Sequence, residues 1–334
     1  MRRLQIILSR LVWLIPTLLG LTLVVFLIAN VVPTDPARII AGENATTAQV
    51  EELRQELGLD RPLHEQFGRY IYDLGTGDMG KSLYTSRPIS QDLLSRLPAT
   101  LELTVVAILI AMLIGVPAGV ISAIRRNSLT DQVLRVLSVS GLAVASFWLA
   151  MELQMFFSTK LGITPLNGRI SGFGPEKFTG FLIVDSLLSW DMESLGDTFM
   201  HLLLPAVTLA LPAAATLVRF TRAGVLEVVN SNYVLYESAM GMPRSLITWK
   251  YILRNALVST VTQIGLIFGA LFAGAVVVEA VFDWPGLGTF AVQSIMRSDN
   301  KAIMGFSLLV GFVFVIVNLM VDIVHTFIDP RTLE

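Results

Sequence analysis

The sequence predicts an all-α membrane protein of six transmembrane helices, with a small extracytoplasmic helical subdomain after the first. Three observations predict it. The chain of 334 residues is 54% hydrophobic and only 15% charged, with a mean hydropathy of +0.68, whereas a soluble domain averages about 45–50% apolar and about 25% charged. Six apolar stretches approach the roughly twenty residues that cross a hydrocarbon core as a helix, at residues 11–32, 100–123, 134–157, 201–218, 258–281 and 304–328. Cations also gather in alternate connections. Arg2, Arg3 and Arg10 precede the first stretch, and Arg125, Arg126 and Arg135 crowd the second connection. Arg219, Arg222, Arg244, Lys250 and Arg254 outnumber Glu227 and Glu237 in the fourth. By the positive-inside rule both termini lie in the cytoplasm.

Composition also excludes. There is no cysteine, so disulfides and thiolate metal sites are unavailable. His64, His201 and His325 are too scattered in sequence for a compact histidine metal site, and the net charge of −2 argues against a nucleic-acid partner. The basic start runs into an apolar stretch longer than a signal-peptide core and without an A-x-A site, so it reads as a retained first span. The chain divides into residues 1–32 (first span), 33–99 (periplasmic subdomain), 100–328 (membrane core, with a cytoplasmic loop at 219–257) and 329–334 (cytoplasmic tail).

In the subdomain, Thr46 and Gln49 form a capping box for a helix through Leu57 that Gly58 ends, and a second helix is expected over 62–74. Gly75 to Ser82 matches the phosphate-loop pattern G-x-x-x-x-G-K-[ST] letter for letter. That chemistry needs a strand before the loop and a helix after it, with amides facing the phosphates. Here the preceding segment is helical in pattern and the following one starts a helix poorly, so the stretch reads as a glycine-rich turn. The Asn44-Ala45-Thr46 sequon reads as chance.

The second span carries Gly115, Pro117 and Gly119, which permit close packing or a bend. Glu102 lies near its outer end, where an interfacial charge costs little. The third and fourth spans are the least regular, interrupted by Glu152 and Gln154 and by Pro205 and Pro212. Residues 158–200 are rich in glycine and proline, with a short interfacial helix expected over 181–190. The fifth span aligns Gly265, Gly269, Ala273 and Gly274 into a stripe suited to helix association. Polar groups inside spans are functional suspects. Gln263, Gly269, Gly274 and Glu279 are therefore candidates to line a pathway, although Gln263 bonding a neighbouring helix fits equally well. Asn318 and Asp322 share a face of the last span, and Asp322 is expected to pair with a cation.

The stretch 219–257 is polar yet patterned. Val225, Leu226, Val228, Val229, Val234, Leu235, Ala239 and Met240 recur at helical spacing. Gly241 then closes one helix and Met242-Pro243 opens another. An ordered helix–glycine–helix element on the cytoplasmic side is most simply a docking piece for a partner.

Several segments together resemble a known family. They are Leu57 to Leu63, Gly77 to Gly80, Arg96 to Leu103, Phe147-Trp148, Gly168-Arg169, His201 to Pro205, Glu279 with Phe282 to Gly288, Asn318-Leu319 with Val321-Asp322, and Asp329 to Arg331. In this order they resemble the inner-membrane permease subunits of bacterial ABC importers, in particular the first permease of the dipeptide/oligopeptide/nickel group. The resemblance implies a type I ABC importer transmembrane domain in the bacterial inner membrane. It implies a second homologous permease, two cytoplasmic ATPases that bind the ATP and magnesium, and a periplasmic solute-binding protein. Neither a catalytic residue nor a cofactor is implied for this chain. Glu237, Ser238, Ala239, Met240, Gly241 and Met242 fall on the "EAA" coupling motif, with Arg254 and Asn255 following. The implied cargo is di- or oligopeptides, with nickel chelates, opines and small glycosides as alternatives.

The sequence also departs from the family pattern. Leu235, Tyr236, Ser238 and Met240 replace polar or cationic positions, Ala145 and Ser259 stand where proline is common, and Thr34 replaces a glycine. An intramembrane hydrolase would need a nucleophile–base pair or paired carboxylates at one depth, and Glu102, Glu152 and Glu279 all lie toward outer ends. A proton-coupled transporter would show inverted repeats, which the sequence lacks.

Overall fold

The computed structural model describes residues 2–31, 36–41, 45–56, 58, 60–83 and 85–328. Its helices in chain order are α1 (Arg2–Val31), α2 (Pro36–Ala41), α3 (Thr47–Glu56), α4 (Leu63–Gly75), α5 (Ile89–Ile124), α6 (Leu129–Ala143), α7 (Ser146–Leu153), α8 (Leu182–Leu188), α9 (Met192–Val229), α10 (Asn232–Ala239), α11 (Arg244–Leu246), α12 (Leu253–Val281), α13 (Leu287–Met296) and α14 (Asn300–Ile328). Among the described residues five helices, α1, α5, α9, α12 and α14, are long and apolar enough to cross a membrane. A bent pair, α6 with α7 and its π-helical extension Gln154–Lys160, makes a sixth.

Glycine contacts fix how the long helices run. A methyl group on Gly115 would lie 2.7 Å from Leu217 Cβ and 2.9 Å from the Ala214 carbonyl, and one on Gly119 would lie 2.7 Å from Thr221 Cβ. Contacts that rise together in both helices make α5 and α9 parallel, with backbones closer than any side chain at those positions would allow. Gly265 meets Val321 while Gly269 meets Phe314, so α12 runs antiparallel to α14. α5 meets the end of α12 at Thr100 and Glu279 and its start around Val120 and Ala256, so it is antiparallel to α12 and therefore parallel to α14. The turn after α5, the segment carrying α10 and the far end of α14 therefore collect at one end of the bundle.

Two expectations about the spans are corrected. The third span is not one helix over 134–157. It breaks at Val144 and Ala145, both extended (ψ 126 and 128), and α7 leaves at 99° to α6. The cause is not the polar pair, because Glu152 and Gln154 sit within helical turns beyond the break. Conversely, Pro205 and Pro212 do not interrupt the fourth span, and α9 runs unbroken for 38 residues. Among the side chains of this stretch, Thr208 Oγ1 donates to the Leu204 carbonyl at 2.8 Å and Thr216 Oγ1 to that of Pro212 at 3.0 Å. At its start Asp191 caps the helix, accepting from Ser194 N at 3.0 Å.

The break makes a direct prediction. Ala145 has φ −68, and Val144 rather than Ala145 donates to the Ser140 carbonyl. Proline fits such a residue, and Val144 already has the extended ψ that precedes proline. Ala145→Pro is expected to stabilise the protein by about 0.4–1 kcal/mol through the unfolded chain, read as a higher unfolding midpoint in detergent. A lower midpoint would show that the corner at 144–145 flexes in the folded protein.

Several local helix and turn expectations after the first span are met among the described residues. Thr46 N donates to Gln49 Oε1 at 3.0 Å and Gln49 N to Thr46 Oγ1 at 3.4 Å, a reciprocal capping box. Gly58 turns the chain at φ +67. Leu57, Leu59, Thr34 and residues 329–331 of the resemblance lie outside the described residues. The stretch from Gly75 to Ser82 follows α4 and precedes no helix until Ile89, with Gly77 and Gly80 both at φ +82. It is a turn, as expected. The subdomain is held by Phe26 of α1 against Phe67, ring centroids 5.2 Å apart. It is also held by Asp299, which accepts Ser82 Oγ and Leu83 N at 2.7 Å each.

The loop between α7 and α9 is irregular, with α8 where a short helix was expected. Its organiser is the buried Asp185, which accepts Thr179 N at 2.8 Å, Thr179 Oγ1 at 2.7 Å and Gly180 N at 2.9 Å. Burial pushes this carboxyl up, but those bonds outweigh it and hold it below the usual carboxylate range. A carboxyl lower in the folded than in the unfolded chain contributes stability above the unfolded value of about 4 and loses it as pH falls through the folded value. Protection factors over residues 176–190, which correct for the pH dependence of intrinsic exchange, are expected to be high at pH 6 and to fall as the pH drops below the usual carboxylate range. Protection factors unchanged across that acid range would remove Asp185 from this role.

Candidate functional site

The helix–glycine–helix element forms largely as the pattern predicts, with one difference. Residues 219–229 belong to α9, and the chain breaks at Asn230 and Ser231 before α10 begins. The break lets α10 turn its two faces differently. Val234 is buried with Val120, Ala123, Val225, Ile247, Ile252 and Ala256. On the other side Leu235, Tyr236 and Met240 are 61%, 67% and 65% exposed, an apolar face that none of the described residues covers.

The end of α10 is a Schellman turn. Gly241 N donates to the Ser238 carbonyl at 3.1 Å and Met242 N to that of Glu237 at 3.3 Å, with Gly241 at φ +77, a conformation that glycine adopts without cost. Ser238 Oγ returns to the Val234 carbonyl at 2.8 Å. Ala239 and Met242 face outward. Glu237 is half-buried, and its Oε2 has no hydrogen-bond partner among the described residues. Asn255 does not face outward alone: its Nδ2 donates to Tyr233 Oη at 2.9 Å and to the Tyr251 carbonyl at 3.0 Å. This ties α10 to the start of α12, while Arg254 is exposed. Tyr233 is thus a member of the site that periodicity alone did not single out.

Beneath the element lies a buried ion pair that the sequence reading missed. Asp131, fully buried, accepts Arg222 Nε at 2.9 Å and Nη2 at 3.0 Å, Ser122 Oγ at 2.6 Å and Asn127 N at 3.0 Å. It thereby fastens α5, the following turn, α6 and α9 together. Arg222 had been counted as one more loop cation. The available signal was Ser128 with an acid three residues on, a helix-start pattern. Ser128 Oγ does accept from Asp131 N, at 3.3 Å.

At the opposite end the structure moves several expected pathway residues. Glu279 lines no opening. It is fully buried and accepts Thr100 Oγ1 at 2.6 Å, Gly288 N at 2.6 Å and Thr289 N at 3.3 Å. It is a buried acceptor for the chain's own turn because Gly286 and Gly288 pack directly on its carboxylate. Gly269 is covered here, since the Phe314 ring of α14 fills the space above it. Gly274 has open space around it and is exposed, and Gln263 is half-buried. The small-residue stripe is therefore split, with Gly265 and Gly269 against α14 and Ala273 and Gly274 on a free face. Glu102, expected at an interface, is buried. It pairs with Arg169 Nε at 3.2 Å and accepts Ile183 N at 2.7 Å, while the Arg169 guanidinium lies 5.9 Å from the Trp284 ring centre. Asn318 Nδ2 donates to the Phe314 carbonyl at 2.9 Å, and the Asp322 side chain lies outside the described residues.

The geometry is that of a helical bundle with a short, partly exposed helix, α10, at one end. Residues 115–334 match the family described as binding-protein-dependent transport system inner membrane component, and residues 3–104 match its N-terminal region. The probable D,D-dipeptide transport system permease protein of Escherichia coli K12 is 42% identical over 93% of this chain and 92% of its own. The dipeptide transport system permease protein of Alkalihalophilus pseudofirmus is 38% identical over 96% and 97%. The di/tripeptide transport system permease protein of Pseudomonas aeruginosa is 38% identical over 98% of each. Among solved structures an inward-facing MetNI methionine ABC transporter aligns over 69% of this chain and 93% of its own, with a TM-score of 0.52 at 18% identity, a likeness of fold. The chain is a multi-pass inner-membrane protein with the type I ABC importer membrane-domain fold, and it belongs to the family of binding-protein-dependent transport system inner membrane components.

Proposed function

We propose that this chain is the permease subunit of a peptide-importing ABC system and that α10 is the surface on which an ATPase partner seats. The observation that carries the reading is the exposed face of Leu235, Tyr236 and Met240 on a helix whose other side is anchored by Val234. A short amphipathic helix laid into a partner's groove is a recurrent recognition mode. The end bearing α10 then faces the cytoplasm, as the arginine distribution requires, and the opposite end meets a periplasmic binding protein. A second homologous permease completes the pathway. ATP and magnesium are held by two ATPase subunits, and this chain contributes no catalytic group. Peptide cargo is supported by the names of the relatives, which are dipeptide and di/tripeptide permeases.

Mechanistically, the chain's part is to transmit. A partner shifts a conformational equilibrium only through its different affinity for the two states, so movement of the ATPase pair has to reach the pathway through α10. Val234 carries it to α9 and α5, and the Asn255–Tyr233 bond carries it to α12. In the reconstituted importer, Leu235→Asp with Tyr236→Asp is expected to leave the chain folded, since both side chains are exposed. It is expected to lose the ATPase subunits on purification and to lower substrate-stimulated ATP hydrolysis by about tenfold or more. Unchanged stimulation would overturn the assignment of α10. Uptake of a labelled dipeptide, competed by peptides and not by nickel chelates, tests the cargo separately.

A further inference from the structure

A groove of about 310 Å³ opens where the last turns of α5 meet α11 and the π-helical turn Ile247–Ile252 that follows it. Its floor is apolar, with Ile121 and Ile124 exposed along it, and its rim carries Arg125, Arg244, Thr248 and the half-exposed Trp249. Among the described residues neither arginine makes an ion pair. Asp131, the acid of the neighbouring turn, is engaged by Arg222.

We propose that this groove binds an anionic phospholipid, with the phosphodiester between Arg125 and Arg244 and an acyl chain along Ile121 and Ile124. The charge and the apolar floor must be explained together. A soluble anion would satisfy the guanidinium groups and leave two isoleucines and a tryptophan in water. A lipid covers both, because its own headgroup and chain are joined at that boundary. Tryptophan at the rim suits the same level, since its ring is apolar and its N–H needs a polar partner. The proposal rests on the reading above that this end of the bundle lies at the cytoplasmic surface. It adds a consequence: the lipid bridges α5 and the segment that leaves α10, so leaflet composition bears on the docking element.

The test uses the full importer purified with mixed lipids, with labelled phosphatidylglycerol and phosphatidylcholine retained on the protein as the readout. Arg125→Gln with Arg244→Gln is expected to lower retained phosphatidylglycerol by about tenfold and to leave phosphatidylcholine unchanged. Arg126→Gln, an exposed neighbour outside the groove, is expected to leave both unchanged. Ile124→Asn supplies a second variant that reads the acyl contact, expected to weaken retention with both arginines intact. Size-exclusion behaviour checks that each variant is folded. Equal retention by the double variant overturns the proposal, and so does an equal loss in Arg126→Gln, which would mean diffuse surface charge. Displacement by inorganic phosphate as complete as by lipid would make it a soluble-anion site. Retention that appears only after residues 329–334 are removed would make the chain's own tail the occupant. Failure of the underlying orientation is read independently. The chain has no cysteine, so Arg126→Cys alone reports to an impermeant maleimide which side of the membrane this end occupies.

Discussion

Asp131→Ala is expected to cost about 3 kcal/mol of stability and to be the most damaging single substitution near α10. The carboxylate is fully buried and takes four hydrogen bonds from three elements besides its own helix. Its removal leaves Arg222 with a charge and no counter-ion, and leaves the Ser122 hydroxyl and Asn127 amide without their acceptor. Arg222 retains 21% side-chain exposure, so water relieves part of its cost, which places the loss at the lower end for a buried pair. The measurement is the unfolding midpoint of the purified chain in detergent, with Asp131→Leu/Arg222→Met alongside. Removing both charges leaves no buried unpaired guanidinium, although Ser122 Oγ and Asn127 N still lack their acceptor, so the double variant is expected to recover part of the loss. A double variant no better than Asp131→Ala would mean that the pair is valued for its backbone contacts rather than its charge.

Glu279→Leu is expected to lower stability by a similar amount, about 3 kcal/mol, because three buried donors lose one acceptor group at about 1–3 kcal/mol each before relaxation. Those donors are the Thr100 hydroxyl and the amides of Gly288 and Thr289. Glu279→Gln keeps the shape and one carbonyl acceptor and is expected to lose less. The pair of variants separates two roles. A pathway carboxylate would change transport selectivity with little effect on folding, whereas a buried acceptor changes the unfolding midpoint first. Preserved stability with altered cargo selectivity would restore Glu279 to the pathway.

What was legible in the sequence was what local chemistry decides. The Thr46–Gln49 box, the Gly58 and Gly241 turns and the buried side of α10 follow from neighbours a few residues apart, and the structure has each of them. The family followed from many short segments taken in order. What was not legible was set by partners far along the chain. Glu279 looked like a pathway residue because a carboxylate in an apolar run is costly, and nothing nearby in sequence announced Thr100, 179 positions away, as its partner. Gly269 had the same ambiguity, since a small residue admits either a pathway or a neighbouring ring, and the Phe314 ring covers it here. Arg222 and Asp131 were each counted in a charge balance, which is blind to pairing across 91 positions. The corner at Val144 and Ala145 lacks a glycine or proline to mark it, whereas the two prolines of α9 suggested a break where the helix, closely packed against α5, runs on.

The unbroken α9 has a mechanical meaning. At 1.5 Å per residue its 38 residues make a rod about 57 Å long, nearly twice the roughly 30 Å of hydrocarbon it crosses. One overhang is clasped by Ser171, whose amide and hydroxyl both bond Asp197, and the other holds Arg222 and the root of α10. Under the docking proposed above, what tilts this rod at the Asp197 end alters how α10 is held, and by reciprocity a partner seated on α10 alters what the Asp197 end prefers to bind.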